Sequence, residues 1–84
     1  MHDDHEIFEQ AVRDKKKVIL TYFSTEHNLN LTRLCIPVRY SLPKPGEESD
    51  YYHVWDSEGD VGEQLLGLPP SQIIYMELSN ESFA

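Results

Sequence analysis

Ile7, Phe8, Ala11 and Val12 recur at helical spacing, and after Lys17 that period never returns. A chain with one such stripe cannot build a helical bundle, so the stripe needs a sheet to cover it. The spacing predicts a helix over residues 4–15, with Glu6, Glu9, Gln10 and Arg13 facing outward. Asp3 or Asp4 is placed to cap its first turn, and Lys15, Lys16 and Lys17 suit the negative end of its dipole.

Beyond Lys17 the apolar residues come in short runs with the period of strands. Val18 to Phe23 (Val-Ile-Leu-Thr-Tyr-Phe) is β-branched and aromatic, and predicts a strand over 18–23. A second strand is expected over 31–40, where Leu34, Ile36 and Val38 alternate against Arg33, Cys35 and Arg39. Pro37 cannot donate to a ladder, so this strand must lie at an edge or bend at that point. Further strands are expected over 51–55, 63–68 and 73–78. Leu42 to Ser49 forms an exposed Pro- and Gly-containing loop, and Pro69-Pro70-Ser71-Gln72 has room for one 3₁₀ turn. Five short strands with such a turn before the last describe a mainly β domain with one N-terminal helix, an SH3-like or Sm-like five-stranded small barrel occupying residues 1–84 as one unit.

Charge narrows the partners. Fifteen acidic against seven basic side chains give a net charge of -8, and no Lys or Arg follows Lys44. That field opposes phosphate backbones and anionic lipid, so neither nucleic acid nor a membrane is an expected partner. Cys35 is a single cysteine with no internal bridge to form, and Met1 to Glu6 has neither the basic nor the apolar part of a signal peptide. The expected location is cytoplasmic.

The order of elements and several anchor residues resemble the WYL domain, a bacterial regulatory module with an Sm-like barrel. Ala11 stands at the centre of the short helix, Tyr22 near the end of the first strand, and Arg33 and Pro37 follow the next loop. Asp50-Tyr51-Tyr52-His53-Val54-Trp55-Asp56 occupies the place of the name-giving Trp-Tyr-Leu strand, with Asp50 where the family has Trp. Leu66-Gly67-Leu68 and Ser71-Gln72-Ile73 stand where the closing strand and turn belong, and Gln64 and Gln72 take the place of the family's basic residues there. One helix is too little for the winged helix-turn-helix that often accompanies the family. The resemblance implies the barrel fold and a regulatory role in sensing nucleotide or nucleic-acid ligands.

Candidate sites are few. Cys35 could pair with His27 or His53 as a thiolate, but a lone cysteine in an apolar strand reads as core. His2, His5, Asp3 and Asp4 could bind a metal only adventitiously at a fraying chain end, and Asp56-Ser57-Glu58-Gly59-Asp60 lacks the distal Glu of a calcium loop. No catalytic residue, cofactor or metal is expected, and the chain reads as a non-enzymatic binding module. Its candidate surface is aromatic and mixed in charge: Tyr22, Arg33, Arg39, Tyr51, His53 and Trp55. If Tyr52 and Val54 point inward, then Tyr51, His53 and Trp55 form an exposed stripe; if the phase is reversed, Trp55 is core. The expected occupant is a small anionic or nucleotide-like ligand or a partner protein, and the alternative is an interaction module that pairs strand edges into a homodimer.

Overall fold

The computed structural model describes residues 1–56 and 64–83. Helix α1 (His5–Asp14) precedes strands β1 (Lys16–Ser24), β2 (Leu29–Ser41), β3 (Tyr51–Asp56) and β4 (Gln64–Leu68). A 3₁₀ turn (Pro70–Gln72) then leads into β5 (Ile73–Ser82). The five strands form one antiparallel sheet in the order β4-β3-β2-β1-β5. The chain is mainly β with one N-terminal helix, and the return of β5 to pair with β1 after a 3₁₀ turn is compatible with the SH3-like arrangement. Among the described residues β4 and β5 do not pair, so the sheet is open between them.

Alternation decides the core. On β1, Val18, Leu20 and Tyr22 are buried while Ile19, Thr21 and Phe23 are half-buried, and on β3 Tyr52, Val54 and Asp56 are buried while Tyr51, His53 and Trp55 are not. The buried set defines an inner face, against which α1 lays Phe8 and Ala11. Val12, expected in the helical stripe, is 37% exposed at its margin. The helix stops at Lys15, whose left-handed backbone (φ 55) lets its N–H reach the Ala11 carbonyl, while its own carbonyl accepts from Phe83 N–H at 2.9 Å. In the loop after β2, Pro45 and Gly46 occupy the centre of a turn closed by Glu47 N–H to the Lys44 carbonyl at 2.9 Å; the φ of 92 at Gly46 is one that side chains resist.

Pro37 does not lie at an edge. β2 is the central strand, and the chain absorbs the missing N–H with a bulge: Pro37 faces Val54 and Arg39 faces His53, leaving Val38 as the extra residue. One inserted residue reverses the alternation, so Cys35 and Pro37 point inward before the bulge and Tyr40, opposite Tyr52, does so after it. Arg33 and Arg39 therefore do not share a face, contrary to the unbroken alternation expected for 31–40.

The N-terminal segment does not fray. His2 Nε2 lies 2.8 Å from the Ile73 carbonyl, and the His2 backbone N–H donates to the Tyr52 hydroxyl at 3.0 Å, so one residue ties β5 to β3 although these strands do not pair. The Tyr52 hydroxyl also lies 2.8 Å from His5 Nδ1, whose other nitrogen is 3.1 Å from Glu9 Oε1. Asp4 occupies the helix N-cap position but makes no side-chain cap; its carboxylate instead accepts from the Met76 backbone N–H at 2.9 Å. Tyr40 donates to Asp50, whose carboxylate is 3.2 Å from the Met1 amine.

Candidate functional site

Where β1 ends, Ser24 Oγ accepts from His27 N–H at 3.2 Å and Asn28 takes a left-handed backbone (φ 56), turning the chain into β2. This turn, β4 and the 3₁₀ turn border a cleft of about 210 Å³. Tyr22, Leu66 and Leu68 supply its apolar lining, and Arg33, Gln64 and Gln72 supply donors and acceptors. Asp56, 1% exposed, also lines it and places Oδ2 at 3.9 Å from Arg33 Nε. Arg33 keeps 22% of its side chain exposed, so a cation reaches this cleft with part of its charge offset by a buried carboxylate. The cleft can thus hold a compact body by apolar contact and bind its polar edge through a guanidinium and two amides.

The six candidate residues separate into two groups. Tyr22 and Arg33 line the cleft, Tyr22 with only 5% of its surface exposed. Tyr51, His53 and Trp55 lie on the outer face, half-buried, and Arg39 is exposed beside His53. The aromatic stripe exists, with the Tyr51 and His53 rings 6.4 Å apart, but it does not adjoin Arg33. Burial first, and then Arg39 and Lys44, hold the His53 imidazole below its ordinary 6.5, so the stripe carries no histidine charge at neutral pH. His53 Nε2 is 2.9 Å from Ser41 Oγ, and its ring stands over Gly67, where an added Cβ would meet it at 3.6 Å.

Asp56, Gln64, Leu66 and Gln72 were not among the candidates. Their residue types carry no motif, and only strand pairing brings the end of β3 and the start of β4 toward the 3₁₀ turn. Cys35 is fully buried on the inner face, its thiol donating to the Arg33 carbonyl at 3.8 Å, with His53 on the opposite face. Among the described residues no group of three or more His, Cys, Asp or Glu could hold a metal ion. Of the acidic calcium-like stretch, 57–60 lie outside the described residues. No described helix is long and apolar enough to cross a membrane. Comparison with family models, curated proteins and solved structures gives no match for this chain.

Proposed function

We propose that this chain is a non-enzymatic ligand-binding module whose cleft takes a compact, planar or small polar ligand carrying an anionic group, of the nucleotide-like class. The observation that carries this reading is Arg33, which lines the cleft together with Gln64 and Gln72, with Tyr22, Leu66 and Leu68 in its apolar wall and the Asp56 and Glu26 carboxylates also at its border. Its volume, about 210 Å³, is below the roughly 300–1,000 Å³ of pockets that enclose drug-sized ligands, which favours a single base or similar fragment over an oligomer. A net charge of -8 makes such binding weak and strongly dependent on salt.

Titrating nucleoside monophosphates and inorganic phosphate at low salt, while following the amides of Tyr22, Arg33, Gln64 and Gln72, tests it. Trp55 faces the other side of the sheet and is a poor reporter. Shifts confined to the cleft and lost in Leu66→Trp, which fills it while keeping Arg33, support the reading. Unmoved amides at millimolar ligand refute it for these ligands.

A second reading has its own observation. Leu65, 57% exposed, neighbours Trp55, which neighbours Ile36, and Leu34 neighbours Ile19, all on the outer face. This apolar patch favours association through the sheet face; of the two strands expected to offer an edge, the second and the fifth, β2 is central and β5 lies at the edge of the sheet. A concentration-dependent mass in light scattering that Leu65→Lys abolishes would support it.

A further inference from the structure

The bonds at the N-terminal segment demand one protonation state. Asp4 N–H donates to His2 Nδ1 at 3.0 Å, so that nitrogen holds a lone pair and Nε2 carries the hydrogen given to the Ile73 carbonyl. The Asp4 carboxylate stands 3.8 Å from the same Nδ1 while accepting from Met76 N–H at 2.9 Å. One carboxylate is thus within reach of two donors and serves the one on β5.

We propose that His2 is a proton-operated latch on the leading end of β5. When His2 takes up a proton at Nδ1, that nitrogen stops accepting and becomes a donor aimed at the Asp4 carboxylate. Asp4 turns to it, its own N–H loses its acceptor, and Met76 N–H is left without the carboxylate that covers it. Met76 sits opposite Leu20 in the ladder, and with its N–H directed to Asp4 rather than to β1, this is an outward-facing group of the edge strand. Acid therefore uncovers the edge of β5 near Met76 without unfolding the sheet.

The surrounding charges leave His2 as the operative group. Tyr52 presents a hydroxyl from β3, with Tyr40 and Asp50 behind it; α1 presents His5 joined to Glu9; β5 presents the Ile73 carbonyl. A proton on His5 would reverse its bond with the Tyr52 hydroxyl and keep Glu9, releasing nothing on β5.

The latch is tested on the full chain by NMR. Long-range ¹H–¹⁵N correlations at pH 7.5 should give His2 as the Nε2–H tautomer. Exchange protection of the Met76 amide, corrected for intrinsic rates, should fall about fivefold to tenfold between pH 7.5 and 5.5, the loss of one hydrogen bond, while Val18 and Leu20 stay unchanged. His2→Ala should make Met76 protection independent of pH, because Asp4 then has one donor to serve. Asp4→Asn should do the same, since its amide oxygen accepts from Met76 N–H without attracting the imidazolium. The Nδ1–H tautomer at pH 7.5, unchanged protection in the wild type, or a fall that survives either substitution would overturn the proposal.

Discussion

Replacing Tyr52 by Phe removes one oxygen from a fully buried side chain whose hydroxyl meets both His2 and His5. The ring is fully buried and stays in place, held edge-on by Phe8 at 5.0 Å and tilted against Tyr40 at 4.8 Å, so no cavity opens. What is lost is the partner of His2 N–H at 3.0 Å and of His5 Nδ1 at 2.8 Å. A buried polar group left without a partner costs about 1–3 kcal/mol. The His2 and His5 side chains keep 14% and 18% exposure, so water compensates in part, and the two losses together come to about 1–3 kcal/mol rather than twice that. In a domain of this size each kcal/mol moves Tm by roughly 4–8 °C, which puts the expected drop at about 4–24 °C. Circular dichroism melts and urea titrations at pH 7.5 measure it, with an unchanged m-value showing that the fold is kept. Tyr75→Phe, at a residue 52% exposed, should change stability by under about 0.5 kcal/mol and serves as the reference. Should Tyr52→Phe melt within 2 °C of that reference, the hydroxyl does not tie the N-terminal segment to the sheet.

Lys15→Gly should stabilise by about 0.5–1 kcal/mol, read from denaturant midpoints, because a left-handed φ of 55 strains any side chain while glycine forfeits only part of that gain in unfolded-state entropy. Tyrosine absorbance against pH should show Tyr40 ionising near pH 12, because its hydroxyl donates a hydrogen bond to the Asp50 carboxylate, and Tyr52 ionising above the ordinary 10 because of burial. Both raised groups keep their stabilisation below pH 10 and lose it as pH rises toward their folded values, so alkaline unfolding should accompany that titration. The Tyr40 hydrogen bond depresses the Asp50 carboxyl below 3.8, so its contribution is present above that pH and disappears as pH falls through the depressed value; Asp50→Asn should narrow its stability gap to the wild type below pH 3.8 in acid titrations.

α1 and β1 were legible because each carries one period. Phe8 and Ala11 mark the inner side of α1, and Val18, Leu20 and Tyr22 mark that of β1, with no help from the rest of the chain. The far half of β5 was not, since Ser79 to Ser82 extends the strand to 82 with polar residues whose reason to be extended lies in pairing, as between Ser82 and Lys16. The candidate site was half legible. Tyr22 and Arg33 could be singled out as an aromatic and a cation on neighbouring strands, but nothing local places Gln64 and Gln72 beside them. Arg39 was misplaced by a purely local event, the bulge beside Pro37. The N-terminal histidines were read as a loose end because the atoms that hold them, on Tyr52 and Ile73, are 50 and 71 residues away.

The extra residue in β2 means that the strand is written in two reading frames. Up to Pro37 the odd positions address the interior, and from Arg39 onward the even ones do. Removing Val38 would merge the frames without turning either half over: Pro37, Arg39 and Tyr40 would then alternate in, out and in opposite the same Val54, His53 and Tyr52, and Tyr40 would keep Asp50 and Tyr52 as neighbours. Lengthening or shortening the strand by two residues elsewhere spares this phase, whereas a change of one does not. A sequence without the bulge, set beside this one with no gap at Val38, has its β2 residues assigned to the wrong side on one half of the strand, and a graft of β2 onto another sheet must carry the bulge with it to keep both Cys35 and Tyr40 inside.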